Sequence, residues 1–369
     1  MFVLIEGGEL YAPEPLGAGS VLVAAGRIAR VGAVDGRALA AAGLEVEVID
    51  ARGCLVIPGI IDPHEHLIGG SGERGWGSLT PEITLREVVT AGITTVVGCL
   101  GVDTTTRTMP ALLARARAFK DEGLSAHIYS GGYDVPPVTL TGSVRRDMLL
   151  IEEVIGAGEV AVSDRRGTAP SVAELARLAG DAHMGDGPGR LEPVRRLLTE
   201  HDVDPAWLYP THVERNERLF REAIELSRRG VAVDLDTVEQ DLGRWLTIFR
   251  DDGGDMTRVT ASSDAAISSP RTLTEQLRSL VREHGFALAE ALPVFTTNPA
   301  RVLKLARKGA VREGHDADLV VLERDTLAVR DVIANGRVMV RQGQLAFTER
   351  FLTESNRSIH LHGSRQRPL

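Results

Sequence analysis

Ile57-Pro58-Gly59-Ile60-Ile61-Asp62-Pro63-His64-Glu65-His66 is the stretch on which the reading of this chain turns. It holds no polar side chain until Asp62, as a strand does when helices cover both its faces. Side chains at i and i+2 of a strand leave on the same side, so His64 and His66 aim two imidazoles at one point. Zinc takes histidine nitrogen at about 2.0–2.1 Å and suits such a pair. The glycine-rich Gly69-Gly70-Ser71-Gly72 follows, a loop at the mouth of the strand.

Outward from this strand, apolar runs at 93–99, 125–130, 159–163, 207–212, 231–235 and 258–264 read as further strands. Amphipathic segments at 110–122, 143–155, 171–179, 216–229 and 273–284 fall between them, the alternation of βα units around a parallel sheet. With the first strand the count is seven, one short of a closed eight-stranded barrel. The helix at 171–179 runs into Asp181-Ala182-His183-Met184-Gly185-Asp186 without room for an apolar run, so strand five is expected to be shortened or lost. Short strands with tight turns occupy both chain ends, at 2–5, 20–25, 27–34 and 46–49 and again at 318–323, 329–334 and 338–340, with Asn335-Gly336 as a hairpin turn. The expected architecture is α/β: a TIM-like (β/α)8 barrel over 56–309 and a small β-sandwich domain built from 1–55 plus 310–350. The polar, patternless residues 351–369 read as a loose tail.

Composition agrees with a globular enzyme-sized chain. Its 369 residues, 43% hydrophobic and 25% charged, suffice for one barrel-sized domain and a smaller companion. No apolar run approaches the roughly 18–20 residues of a membrane span, and Met1-Phe2-Val3-Leu4-Ile5 lacks the basic region of a signal peptide. The expectation is a cytoplasmic protein without membrane association. A net charge of −9 without basic clusters argues against a nucleic-acid partner. Cys54 and Cys99 each sit in an apolar run and read as buried small residues rather than a disulfide or a zinc site.

Polar residues close the predicted strands at their C-terminal ends, where barrel enzymes keep their active sites. His64 and His66 end the first, Glu159 opens the fourth, His212 ends the sixth and Asp264 the last, while His183 stands where strand five should finish. Histidines mixed with two carboxylates fit a pair of divalent zinc-like ions bridged by a carboxylate and a hydroxide. Plainer readings stand beside this one. Asp264 after two serines fits a helix N-cap, Glu159 a surface carboxylate, His212 a core histidine and Tyr133 a packing aromatic, while Arg165-Arg166 fits a solvated pair.

Several motifs together resemble the amidohydrolase superfamily and, within it, the isoaspartyl dipeptidases. They are Pro58-Gly59-Ile60-Ile61-Asp62-Pro63-His64-Glu65-His66-Leu67-Ile68-Gly69-Gly70, Gly92-Ile93-Thr94-Thr95-Val96-Val97-Gly98, Thr139-Leu140-Thr141-Gly142-Ser143, His183-Met184-Gly185-Asp186, Pro210-Thr211-His212 and Ser262-Ser263-Asp264. The resemblance implies that His64, His66 and Asp264 bind the more buried metal, and His183 and His212 the more exposed one. It implies zinc, two ions per subunit or one. Asp264 would take a proton from the attacking hydroxide and deliver it to the leaving amine. Tyr133 would stabilise the oxyanion, and Arg166 and Arg215 would hold the carboxylate of the leaving group. Glu73 would meet the free α-amino group and Ser268 would lie near the α-carboxylate.

The chain departs from that family in three places. Glu159 stands where the family has a bridging carboxylated lysine, and none of the three lysines, Lys120, Lys304 and Lys308, is placed to replace it. Val102 stands where the family has a threonine that contacts substrate, and the segment before His183 is short. The expected activity is metal-dependent hydrolysis of the β-aspartyl bond in small isoaspartyl dipeptides, by a homo-oligomer. The alternatives are an amidohydrolase acting on cyclic amides or N-acyl amino acids, and a catalytically impaired binding or assembly scaffold.

Overall fold

The run that carries the two histidines divides at Gly59. Cys54–Pro58 joins a large sheet, pairing parallel with Phe2–Tyr11 and antiparallel with Leu319–Glu323, whereas Ile60–Glu65 pairs with Ile93–Gly98 in a different, parallel sheet. One continuous strand through Ile57 was the expectation, and a steric fact corrects it. A Cβ at position 59 would stand 2.1 Å from Thr94 Oγ1, so glycine alone lets the chain pass from one sheet to the other there. The computed structural model describes residues 2–72, 74–176, 178, 181–183 and 190–356, with 181–183 described by backbone only. The tail beyond 356 therefore lies outside the described residues.

Both chain ends share one nine-stranded sheet in which Leu319–Glu323 lies beside Cys54–Pro58. Cys54–Pro58 is hydrogen-bonded on both sides, which sews the first and last segments of the expected small β domain together. Val3, Ile5, Val21, Val23, Val56, Leu319 and Ile333, from strands of this sheet, pack with one another as one buried cluster. Asn335 and Gly336 have positive φ of 48° and 78°, the conformation a two-residue hairpin needs to join Val329–Ala334 to Arg337–Arg341.

The remaining strands are parallel and fall into three sheets. Ile60–Glu65, Ile93–Gly98, Ser125–Ser130 and Val154–Ala157 form the first; Val160–Ala161, Asp181–His183 and Tyr209–Thr211 the second; Val233–Asp236 and Val259–Ser262 the third. Strand five is thus present but only three residues long, its His183 set between Ala161 and Thr211. The ring is not closed by backbone ladders among the described residues. Side chains span one gap: Tyr209 Oη donates to Asp234 Oδ1 at 3.2 Å, and Thr260 Oγ1 donates to the same oxygen at 2.6 Å. A lone bridge between Glu65 and Ala265 joins the last strand to the first.

Helices cover the outer face of these strands. Asn216 caps the helix Glu217–Arg228 by accepting from Leu219 N at 3.0 Å, and the Phe220 ring of that helix lies 4.7 Å from the Trp245 ring on Leu242–Asp251, tilted 57° to it. Thr139-Leu140-Thr141-Gly142-Ser143 serves the fold locally. Asp147 accepts from Leu140 N, Thr141 N and Ser130 Oγ, and Ser143 caps the helix Val144–Leu150. Among the described residues no helix is long and apolar enough to cross a membrane.

Candidate active site

Five buried side chains meet at the C-terminal ends of four parallel strands. His64 and His66 come from the end of Ile60–Glu65, Glu159 follows Val154–Ala157, His212 follows Tyr209–Thr211, and Asp264 follows Val259–Ser262. Glu159 lies between two histidines, with Oε2 3.6 Å from His64 Nε2 and Oε1 3.3 Å from His212 Nε2. Asp264 Oδ1 stands 3.2 Å from His66 Nε2 and 3.7 Å from His64 Nε2. The residues that deliver these groups hold uncommon backbone conformations: His212 has φ of 58° and Asp264 of 51°, both in the left-handed region. Each costs of order 1–3 kcal/mol, a strain that concentrates at functional sites.

Three further residues organise the cluster. Asp62 accepts from His64 N at 3.3 Å and from Ser263 N at 3.2 Å, tying the first parallel strand to the last. Asp236, at the end of Val233–Asp236, holds His212 Nδ1 at 2.7 Å and so leaves Nε2 aimed at Glu159. Cys99 Sγ lies 3.4 Å from His64 Nε2 and 3.5 Å from His66 Nδ1. Sequence reading passed over Asp236, although the rule that polar residues end these strands points to it. It read Cys99 as packing; its place one residue past a parallel neighbour of the His-x-His strand was the available signal. Asp236→Asn keeps the shape but removes the charge that orients His212, so metal retention or turnover should fall about 10–100-fold. Metal analysis after dialysis, alongside kcat, measures this.

A cavity of about 230 Å³ opens on the cluster, its wall including His66, Glu159, His212 and Asp264. Tyr133, Arg166, Arg215 and Val102 line it too. Arg166 is held by Asp164 through Nε to Oδ1 at 2.9 Å and Nη2 to Oδ2 at 2.5 Å, and its Nη2 donates to Tyr133 Oη at 3.3 Å. Arg215 Nη2 lies 3.9 Å from Asp236 Oδ2. Ser268 is corrected: it does not line the cavity, and its hydroxyl donates to the Ser263 carbonyl. Ile267 takes the place at the wall, because the turn in which Ile267 N and Ser268 N both donate to the Asp264 carbonyl rolls Ser268 away. Glu73 and the side chain of His183 lie outside the described residues.

The electrostatics favour a cation. Burial disfavours charge on His212, yet Asp236 and Glu159 outweigh it and lift its pKa to about 9. Burial likewise opposes ionisation of Asp264, but His66, 3.2 Å away, and the nearby His212 and His64 hold its carboxyl below the usual range. Burial, with the charges of Glu159 and Asp264, pushes the Tyr133 hydroxyl well up, so it stays a proton donor. The field that draws a proton onto the histidines draws a metal ion equally. Ligand atoms of His64, His66, Cys99 and Glu159 lie within 4.8 Å of one another, as do those of His64, His212 and Asp264. Imidazole nitrogen and carboxylate oxygen are donors that zinc-like ions take, and the residues fit such an ion.

Parallel βα strands that converge histidines and carboxylates at their C-terminal ends define the class of hydrolase to which the chain is to be compared. A profile of the amidohydrolase family matches residues 207–339. The crystal structure of a beta-aspartyl dipeptidase from Fervidobacterium islandicum AW-1 superposes with a TM-score of 0.88 at 34% identity, covering 94% of this chain and 99% of that one. The same enzyme is also known in complex with the dipeptide β-Asp-Leu. An adenine deaminase of Geobacillus kaustophilus is 24% identical over 94% of this chain, and an imidazolonepropionase of that organism is 44% identical over 77 residues. The chain spans 58% of the deaminase and 18% of the imidazolonepropionase, short of the full length of these curated relatives. The chain belongs to the amidohydrolase superfamily, in its isoaspartyl dipeptidase-like branch.

Proposed function

We propose that this chain hydrolyses β-aspartyl dipeptides with bound zinc, two ions per chain, on a TIM-like barrel formed by its parallel strands. The observation that carries the reading is Glu159, whose two oxygens face His64 and His212 separately, the placement a carboxylate needs to bridge two ions. The metal would be held by His64, His66, Glu159, His212 and Asp264, with His183 as a further ligand by its register on strand five. When bound it supplies a Lewis acid and a water of lowered pKa.

The protein's own groups perform the rest. Asp264, kept ionised by its histidine neighbours, takes the proton of the attacking water and passes it to the leaving amine. Tyr133, kept protonated by burial, donates to the oxygen that becomes negative at the scissile carbonyl. Arg166 and Arg215 present two guanidinium groups to one cavity, which suits a substrate bearing carboxylates. Adenine, the substrate named for the deaminase relatives, offers no carboxylate to that wall. Glu73 would receive the α-amino group, as in the resembling family.

The test is hydrolysis of β-Asp-Leu by the purified, zinc-loaded protein, measured beside α-Asp-Leu, adenine and an N-acyl amino acid. Turnover of the β-linked dipeptide with at least about tenfold preference in kcat/KM, or about 1.4 kcal/mol, supports the assignment. Preference for any of the other three would move the assignment to that chemistry.

A further inference from the structure

We propose that Cys99 is a thiolate ligand of the metal ion held by His64 and His66, a donor outside the histidine and carboxylate set used above. The inference rests on the metal-dependent reading of this site but not on its substrate. Cys99 follows the strand Ile93–Gly98, and its N–H donates to Glu65 O at 2.9 Å, which fixes it beside the His-x-His end. The side chain is fully buried.

Geometry favours a shared ion over simple packing. Donors placed tetrahedrally around one ion at about 2.0–2.3 Å stand roughly 3.3–3.8 Å apart. Cys99 Sγ to His64 Nε2 is 3.4 Å and His64 Nε2 to Glu159 Oε2 is 3.6 Å, both within that range, while Cys99 Sγ stands 3.5 Å from His66 Nδ1 and 4.0 Å from His66 Nε2, the nitrogen that faces Asp264. A second sign is Asp264 Oδ1, buried and without a hydrogen bond of ordinary geometry among the described residues, facing the same histidines.

Charge points the same way. A thiolate beside the carboxylates of Glu159 and Asp264 adds a negative charge that offsets part of the charge of the divalent ions this buried centre would hold. Binding the ion displaces the thiol proton to solvent, and the soft sulfur biases the site towards zinc or cobalt over magnesium or manganese. Cys54, the other cysteine of the chain, lies in the terminal sheet, where its sulfur accepts from Arg330 Nη1 at 3.0 Å.

Cobalt(II) loaded into the full chain is the probe, read by its near-ultraviolet absorption. Cys54→Ser retains Cys99 as its single cysteine and should keep a sulfur-to-cobalt charge-transfer band of wild-type intensity. Cys99→Ser should lose the band and bind cobalt at least about tenfold more weakly. Absence of the band from cobalt-bound Cys54→Ser and wild-type protein would overturn the assignment, as would its survival in Cys99→Ser. If Cys99→Ser does not fold, Cys54→Ser decides alone. Failure of the wild type to retain cobalt overturns the ligand and the metal-dependent reading together. A band without β-Asp-Leu turnover establishes the ligand and overturns the substrate assignment only.

Discussion

Glu159→Ala should strip the protein of metal and of activity together. The carboxylate is buried, 3.6 Å from His64 Nε2 on one oxygen and 3.3 Å from His212 Nε2 on the other. Losing an outer partner of a metal ligand costs about 10–100-fold, and a direct bridging donor costs more, so kcat should fall by more than about 100-fold. Glu159→Gln separates charge from shape: it preserves packing, and its metal content should match the alanine variant rather than the parent. Metal analysis of dialysed protein, with β-Asp-Leu turnover, reads both effects. Full metal and near-parent turnover in Glu159→Ala would remove Glu159 from the centre and return it to the plainer reading of a structural carboxylate.

Asp264→Asn is expected to have the other large effect, of a different kind. The amide oxygen can still accept from His66, 3.2 Å from the present carboxylate oxygen, and still offers a lone pair to an ion, so some metal should be retained. The amide cannot accept and return a proton, however, and loss of general acid–base help costs about 10²–10⁴-fold in rate. The loss should appear in kcat with KM little changed, the pattern of an interaction made in the transition state. If KM rose while kcat held, Asp264 would be acting on substrate binding and the proton-transfer role would be wrong.

The legible part of the site was the part written in local pattern. His64 and His66 could be read because a strand sends i and i+2 to one side, and His212 and Asp264 because polar residues ending apolar runs stand out against them. Resemblance added Tyr133, Arg166 and Arg215, and the structure brings all three to the cavity wall. Ser268 failed because the turn after Asp264 faces Ile267, not Ser268, to the cavity, and no periodicity in Ser262-Ser263-Asp264 encodes the direction of that turn. Asp236 was within reach of the strand-end rule. Cys99 left a fainter signal, its place one residue past the strand beside His64 and His66, because a cysteine in an apolar run otherwise looks the same whether it packs in the core or faces the site.

The sequence by itself determined the element order, the parallel βα alternation, the joining of the two chain ends and the strand tips on which chemistry would sit. Burial and side-chain periodicity are local properties, recorded residue by residue. Only the tertiary structure decided that the chain changes sheets at Gly59, because that depends on Thr94 standing 2.1 Å from a would-be Cβ. Only it placed Glu159 between His64 and His212, and Cys99 beside His64, across separations of dozens of residues. Distances of 3 to 4 Å between side chains far apart in sequence follow from how strands register against one another, and a one-residue slip in register would turn each of these groups to the other face.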